Sequence, residues 1–283
     1  MSLRIHPTGI LSCKRFAALG ARLALSALLL APARGTAQVV TLTNAGSTAT
    51  IDLGGSAGMD NWTVNGQNQL HLQWFWYRTD AGLAQPVNTL GGLQYQVLGN
   101  NMLDALYQNG QLSVEIMYTL IGGGLNSASA SLTEQIIVAN LSGSAFDLNF
   151  YQYSDFDLLA SANDNVQITG SPGNYNYVHQ WNGVTAIEET ATAPSAFSAE
   201  AALAGQTLNE FGTVSGLNLN GNLAAGPGNV TWAFQWTSTL AANGGEFDLT
   251  KSLSISVVPE PSPALLMLCS ALGLILKNKG RRP

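Results

Sequence analysis

Three aspartates in the middle of the chain have the types and spacing best suited to chemistry. Asp155 and Asp157 are two positions apart, so they would point from one face of a strand or from its end, and Asp164 follows across a short loop. Oxygen ligands converging in this way suit Ca²⁺, which takes six to eight of them. The spacing matches no calcium-loop motif, and aspartates at strand ends often cap a turn, so both interpretations stay open.

A serine motif gives little support to hydrolytic chemistry. Residues 54–58 satisfy G-x-S-x-G around Ser56. A nucleophile elbow must lie between a strand and a helix, and residues 59–62, Met-Asp-Asn-Trp, begin no helix. A secreted hydrolase is therefore the least favoured of the functions considered.

The remaining titratable residues form no acid–base constellation. His71 and His179 are the two histidines outside the first 37 residues, and neither has a second candidate ligand near it in the sequence. Glu188 and Glu189 are adjacent and would point to opposite faces of a strand, which makes a poor acid–base pair. The sequence thus predicts no catalytic residue, no cofactor apart from the calcium considered above, and a protein that is not an enzyme.

Aromatic residues at alternate positions predict an all-β fold. Residues 70–77 carry apolar side chains on both faces and read as a central strand, whereas residues 230–240 read as a strand with one core face and one polar face. Residues 129–141 and 145–155 flank a Ser-Gly turn and suggest a hairpin. Helix formers in residues 198–208 predict one short helix. The expected fold is an antiparallel β-sandwich with one short helical insertion.

Aromatic side chains in loop-like segments are candidates for sugar contact. Trp62, Tyr175 and Trp181 have Asn and Gln nearby, and their rings could stack on a sugar face. The alternative is that they cover the ends of the core. A carbohydrate-binding module is therefore an alternative function.

The last 25 residues have three parts. Pro259, Glu260 and Pro261 form a box that cannot continue as helix. The apolar run at 264–276 would rise only about 20 Å as a helix, which is short for a bilayer span. A basic end follows, which suits a cytoplasmic stop, and its cations are Lys277, Lys279, Arg281 and Arg282. An ordinary anchor and a buried core helix are the alternatives.

This order of parts resembles the PEP-CTERM sorting signal of exopolysaccharide-producing Gram-negative bacteria. The resemblance implies that a membrane enzyme, exosortase, cuts near Pro259-Glu260-Pro261 and passes the protein to the cell surface or matrix. The apolar run is short, and Asn278 and Gly280 interrupt the basic end. Two internal segments, 150–158 and 230–240, resemble strands of PEP-CTERM ectodomains and imply a shared architecture, not an activity.

A second targeting signal lies at the N-terminus. Lys14, Arg15 and Arg22 precede the apolar run at 23–30, and small residues follow, as in a secretory signal peptide. Cleavage after Ala33 also fits, but cleavage between Ala37 and Gln38 is preferred because it leaves no arginine on the new N-terminus. Signal peptidase is the implied partner.

Removing both signals changes the charge of the chain. Five of the 11 Lys and Arg lie in residues 1–37 and four follow Leu276, which leaves Arg78 and Lys251. Sixteen of the 17 Asp and Glu remain, so the domain carries about −14 rather than the −6 of the whole chain. Two cations cannot neutralise a phosphate backbone, so nucleic acid is excluded as a partner. Both cysteines, Cys13 and Cys269, lie in the signals.

Three parts are therefore expected: a signal peptide at 1–37 with its helix, a secreted β-sandwich at 38–258, and a sorting signal at 259–283 with a short hydrophobic helix. The predicted protein is exported through the inner membrane and held transiently by its C-terminal helix. It then acts at the cell surface or in the matrix as a non-enzymatic component of biofilm or exopolysaccharide.

Overall fold

Alternation of apolar and polar residues along the strands builds two nine-stranded sheets that face each other. The computed structural model describes residues 38–124 and 128–257. The predicted signal peptide and sorting signal, including Ala37 and Pro259 to Pro283, lie outside the described residues.

The first sheet contains most of the aromatic residues. Its strands are β1 (Val39–Asn44), β2 (Ser47–Asp52), β3 (Gly58–Val64), β4 (Gln67–Asn68), β5 (Leu70–Arg78), β6 (Gln85–Pro86), β11 (Phe146–Phe156), β15 (Ser198–Leu203) and β17 (Val230–Leu240). They are ordered β1-β2-β3-β5-β11-β17-β15, with β4 beside β3 and β6 beside β5. The pairs are antiparallel except β3 with β5, which is parallel.

The second sheet is formed largely from the middle of the chain. Its strands are β7 (Gln94–Leu98), β8 (Met102–Gln108), β9 (Leu112–Gly122), β10 (Ser129–Asn140), β12 (Asp164–Ser171), β13 (Asn174–Trp181), β14 (Thr185–Ala193), β16 (Ala224–Gly228) and β18 (Gly245–Val257). Their order is β16-β12-β13-β14-β18-β10-β9-β8-β7, and all pairs are antiparallel.

The predicted all-β fold with two antiparallel layers is confirmed. Within the described ranges there is one α-helix, α1 (Gln206–Thr213), and there are two short 3₁₀ turns at Val87–Leu90 and Leu158–Ala160. No helix in this part of the chain has the length and apolar character needed to cross a membrane.

The predicted helix at 198–208 is misplaced. Residues 198–203 form β15, which pairs with β17, and the helix begins only at Gln206. The alanine-rich segment has good helix propensity, but Ala199 and Ala201 are fully buried in the sheet and small enough to lie close to its neighbours. Tertiary packing therefore overrides local propensity here.

The predicted hairpin at 129–155 is also wrong. β10 lies in the second sheet between β9 and β18, whereas β11 lies in the first between β5 and β17. The Ser142-Gly143 turn therefore passes the chain from one layer to the other. The polar face assigned to β17 is buried at Thr231, Ala233 and Gln235 and exposed at Thr237. Gln235 accepts a hydrogen bond from the Leu219 N–H, which follows β15 in the chain.

A lysine and two glutamates lie fully buried between the sheets. Lys251 on β18 forms ion pairs with Glu134 and with Glu189, the latter with Nζ and Oε2 separated by 3.3 Å. Gln152 donates to Glu189 at 2.6 Å and Gln73 donates to Glu134 at 3.3 Å. This polar core cluster crosses the sandwich, since the glutamines come from the first sheet and the charged residues from the second.

Candidate functional site

An irregularity between β5 and β11 brings a histidine beside an aspartate. Asp155 pairs with Leu72 and Phe156 pairs with Leu70, so His71 is an extra residue on β5. Such a bulge bends the strand and re-aims its side chain. His71 is exposed, and its charge acts on the Asp155 carboxylate.

Asp155 points away from the second sheet. Its neighbours Ser154 and Phe156 point into the core, where Ser154 accepts a hydrogen bond from Gln152 and Phe156 stacks on Trp232 with ring centroids 6.1 Å apart. Side chains alternate along a strand, so Asp155 lies on the opposite, outer face. It is 6% exposed, and its Oδ1 has no hydrogen-bond partner.

Burial raises the pKa of Asp155 from 3.8 to about 6. The nearby His71 lowers that pKa, whereas the charges of Asp157 and Asp164 raise it. The Tyr153 hydroxyl also lowers it through a hydrogen bond. Asp155 can therefore hold or release a proton near neutral pH, which is the property required of a general acid or base.

Tyr153 lies between the Asp155 carboxylate and other residues on the outer face of the first sheet. Burial raises the pKa of the Tyr153 phenol, and the nearby Thr231 side chain and Gly205 backbone lower it. Thr231 Oγ1 is itself buried and has no hydrogen-bond partner. Thr231 belongs to β17, and Gly205 precedes α1. β17 and the turn before α1 thus lie beside Tyr153 on the outer face of the first sheet.

We name His71, Tyr153, Asp155 and Thr231 the Asp155 site. It offers an imidazole at the surface and a carboxyl group behind it, each able to donate or accept a proton. Two such groups on one side of a bound molecule can move protons on and off neighbouring oxygens. The arrangement is therefore suited to proton transfer rather than to nucleophilic attack by serine or cysteine.

The three aspartates predicted to bind calcium are not grouped as ligands. Asp164 is buried at the start of β12 and accepts hydrogen bonds from the Gln180 amide at 2.9 Å and the Leu158 N–H at 3.2 Å. Asp157 is half-buried just beyond β11. Among residues 38–124 and 128–257, no three or more His, Cys, Asp or Glu side chains are arranged to hold a metal ion. Calcium binding at Asp155, Asp157 and Asp164 stays a prediction.

The predicted sugar contacts divide into buried and surface residues. Trp62 lies in β3 with none of its surface exposed and donates from Nε1 to Ser47 Oγ at 3.0 Å. Tyr175 is buried in β13. The prediction is corrected for these two, because they lie in strands and not in loops. Trp181 is partly exposed and stacks on His179 at 4.7 Å, so it stays a candidate.

The G-x-S-x-G motif and the two adjacent glutamates have the structural positions that the sequence predicts. Ser56 is exposed in a turn followed directly by β3, so the G-x-S-x-G pattern forms no strand-to-helix elbow. Glu188 is exposed and Glu189 is buried, as adjacent strand positions require.

Comparison with known proteins gives the fold a context. No family model and no curated protein sequence matches the chain. Its fold is similar to a bacterial glucoamylase solved with acarbose (TM-score 0.57, 9% identity, 87% of this chain and 37% of that one). It is also similar to a galactose mutarotase related enzyme from Lactobacillus acidophilus (0.51, 8%, 80% and 99%). A putative aldose 1-epimerase from Escherichia coli K12 has a TM-score of 0.50 at 10% identity, with 78% and 99% covered.

Carbohydrate-processing enzymes use this fold. The chain spans about a third of the glucoamylase but corresponds to nearly the whole length of the two epimerase-like proteins. The expectation of a protein that is not an enzyme is contradicted by this likeness. Identities of 8–10% establish the shared fold and not a shared activity.

Sequence reasoning missed His71 and Tyr153 as partners of Asp155. His71 precedes Asp155 by more than eighty residues, and only the pairing of β5 with β11 brings them together. The available signal was the titratable residue His71 in a largely apolar central strand.

Proposed function

We propose that this is an exported carbohydrate-processing protein that exchanges protons with a sugar at the Asp155 site. The observation that carries the proposal is the buried carboxyl group of Asp155, with a pKa near 6, facing His71 on a fold shared with sugar epimerases. Asp155 lies on the outer face of the first sheet, and the imidazole of His71 is exposed and open to an approaching sugar. The producer's own exopolysaccharide, or sugars released from it, is the proposed substrate class.

The chemistry that suits this pair is opening and reclosing of a sugar hemiacetal. One group removes the proton of the anomeric hydroxyl while the other protonates the ring oxygen, so the bond between the anomeric carbon and the ring oxygen breaks and a carbonyl forms. Rotation of that carbonyl and reversal of both transfers give the other anomer. No covalent intermediate or cofactor is required.

The activity is tested directly by polarimetry. Freshly dissolved α-glucose and α-galactose are followed with and without the protein, and reducing ends released from purified exopolysaccharide are measured in parallel. We expect catalysed mutarotation that is lost when the protein is heat-denatured. Rates equal to the buffer rate for all the sugars would contradict the proposal, and reducing ends released without mutarotation would indicate hydrolysis instead.

The proposed route to the cell exterior rests on the two terminal signals. Signal peptidase would cut before Gln38, and an exosortase-type enzyme would cut near Pro259-Glu260-Pro261 after the C-terminal helix has held the protein transiently at the membrane. Support comes from the position of the described core, whose residues span 40–255 and so lie between the two proposed cleavage sites.

Intact mass spectrometry of the protein recovered from the cell surface or medium tests this route. We expect a mass that corresponds to residues 38 to about 258. A mass that includes the chain through Pro283 would defeat the sorting proposal and leave an ordinary membrane anchor. That result would leave the proposed sugar chemistry untouched.

A further inference from the structure

One free edge of the second sheet carries a concentration of exposed apolar side chains. β7 ends the strand order, and it pairs only with β8. Tyr95 and Val97 are each 42% exposed, and Leu98 and Met102 are each 41% exposed. An exposed edge strand of this kind offers unpaired backbone N–H and C=O groups together with apolar surface.

Two other edge strands, β15 and β16, have protection that β7 lacks. β15 is covered by the segment after α1, where the Ala201 N–H donates to Asn222 O at 2.7 Å and the Gly221 N–H donates to Ala199 O at 3.1 Å. β16 contains Pro227, which has no N–H to offer. β7 has the sequence Gln-Tyr-Gln-Val-Leu, with no proline, lysine or other charged residue.

The side chains of Tyr95 and Val97 extend beyond the area that the first sheet covers. They pair with Ala105 and Leu103 of β8, which are fully buried, so all four side chains lie on the core side of the sheet. Tyr95 and Val97 nevertheless remain two-fifths exposed. The core side of β7 is therefore an apolar shelf that the protein's own first sheet does not cover.

We propose that β7 pairs with β7 of a second copy, so that the two second sheets continue into one. Antiparallel pairing centred on Gln96 places Tyr95 of each copy opposite Val97 of the other, which gives two aromatic–β-branched pairs on the core side. The contact is isologous and closes as a dimer. Charge favours this place for self-association, because the domain is strongly acidic and β7 is neutral.

Two substitutions test the dimer by analytical ultracentrifugation of the exported protein or of residues 38–258, whose sheets enclose a core made within that range. Val97→Lys places a cation in the pairing edge and is expected to raise the dissociation constant at least about tenfold. Ile121→Lys is the matched control, since Ile121 is 53% exposed on β9, away from the edge. It should leave the dimer intact.

A disulfide test fixes the register. The domain has no cysteine of its own, so Gln96→Cys would be the single thiol, and pairing about Gln96 puts two copies within disulfide range. Mild oxidation is expected to give a covalent dimer with Gln96→Cys and not with Asn209→Cys, a control at an exposed position of α1. A protein that is monomeric at all concentrations, a dimer indifferent to Val97→Lys, or equal crosslinking of both cysteine variants would overturn the proposal.

Discussion

Lys251→Met is expected to lower the free energy of unfolding by about 3–5 kcal/mol at pH 8, because it leaves two buried carboxylates without their cation. Both glutamates and the lysine have no exposed side-chain surface. A domain of this size is typically stable by about 5–15 kcal/mol, so the variant loses a large share of its stability. Thermal unfolding followed by circular dichroism should show a midpoint lower by roughly 6–20 °C.

The size of this loss should depend on pH. Burial raises the pKa of Glu189 to about 7 and raises that of Glu134, while Lys251 lowers both. A carboxyl group whose folded-state pKa lies above its unfolded value of 4.5 favours folding below that value, and the benefit is lost as pH rises through 7. The wild type should therefore be more stable at pH 5 than at pH 8, and Lys251→Met should be closer to wild type at pH 5.

Glutamine substitutions separate this mechanism from simple loss of packing. Adding Glu134→Gln and Glu189→Gln to Lys251→Met removes both uncompensated charges and should recover much of the stability at pH 8. Glu188→Gln, at the exposed neighbouring position, should change stability by no more than about 0.5 kcal/mol. If the triple variant is as unstable as Lys251→Met at every pH, the buried charges are not the cause.

The strands were predictable where local pattern and tertiary packing agree. β5 was expected as a central strand because both of its faces are apolar, and it is buried between β11 and shorter neighbours. β15 was not expected, because alanine-rich segments favour a helix. In the folded protein these alanines lie in a sheet, where the neighbouring strand requires small side chains. The turn at Ser142-Gly143 has hairpin chemistry, but no local signal says that the next strand joins the other sheet.

The candidate site was predictable only in part. Asp155 was a candidate because its spacing from Asp157 places two carboxylates on one face of a strand or at its end. Its partner His71 depends on a bulge that shifts register by one residue, and its raised pKa depends on burial. Burial also determines which aromatic residues stay candidates for sugar contact, because Trp62 is buried in the core whereas Trp181 is partly exposed. These properties come from contacts between distant segments, which a single sequence does not display.

Asp155→Asn should remove sugar turnover by about 10²–10⁴-fold while leaving the protein as stable as wild type, or more so, at pH 8. The side chain keeps its shape and loses its proton-transfer function. Because burial raises the pKa of Asp155 from 3.8 to about 6, holding it ionised at pH 8 opposes folding, and that cost disappears with asparagine. Mutarotation rates and thermal midpoints measured on the same preparations test the loss of activity and the retained stability, respectively.

Two further variants make this prediction specific. Asp60→Asn changes an exposed aspartate of β3 and should affect neither activity nor midpoint. Asp157→Asn removes a charge that raises the pKa of Asp155, so the pH–rate limb assigned to Asp155 should move to lower pH. Because burial raises the pKa of Asp155, any gain in thermal midpoint for Asp155→Asn should be present at pH 8 and absent near pH 4. If Asp155→Asn keeps full activity, proton transfer in this fold belongs to another residue, whatever its effect on stability.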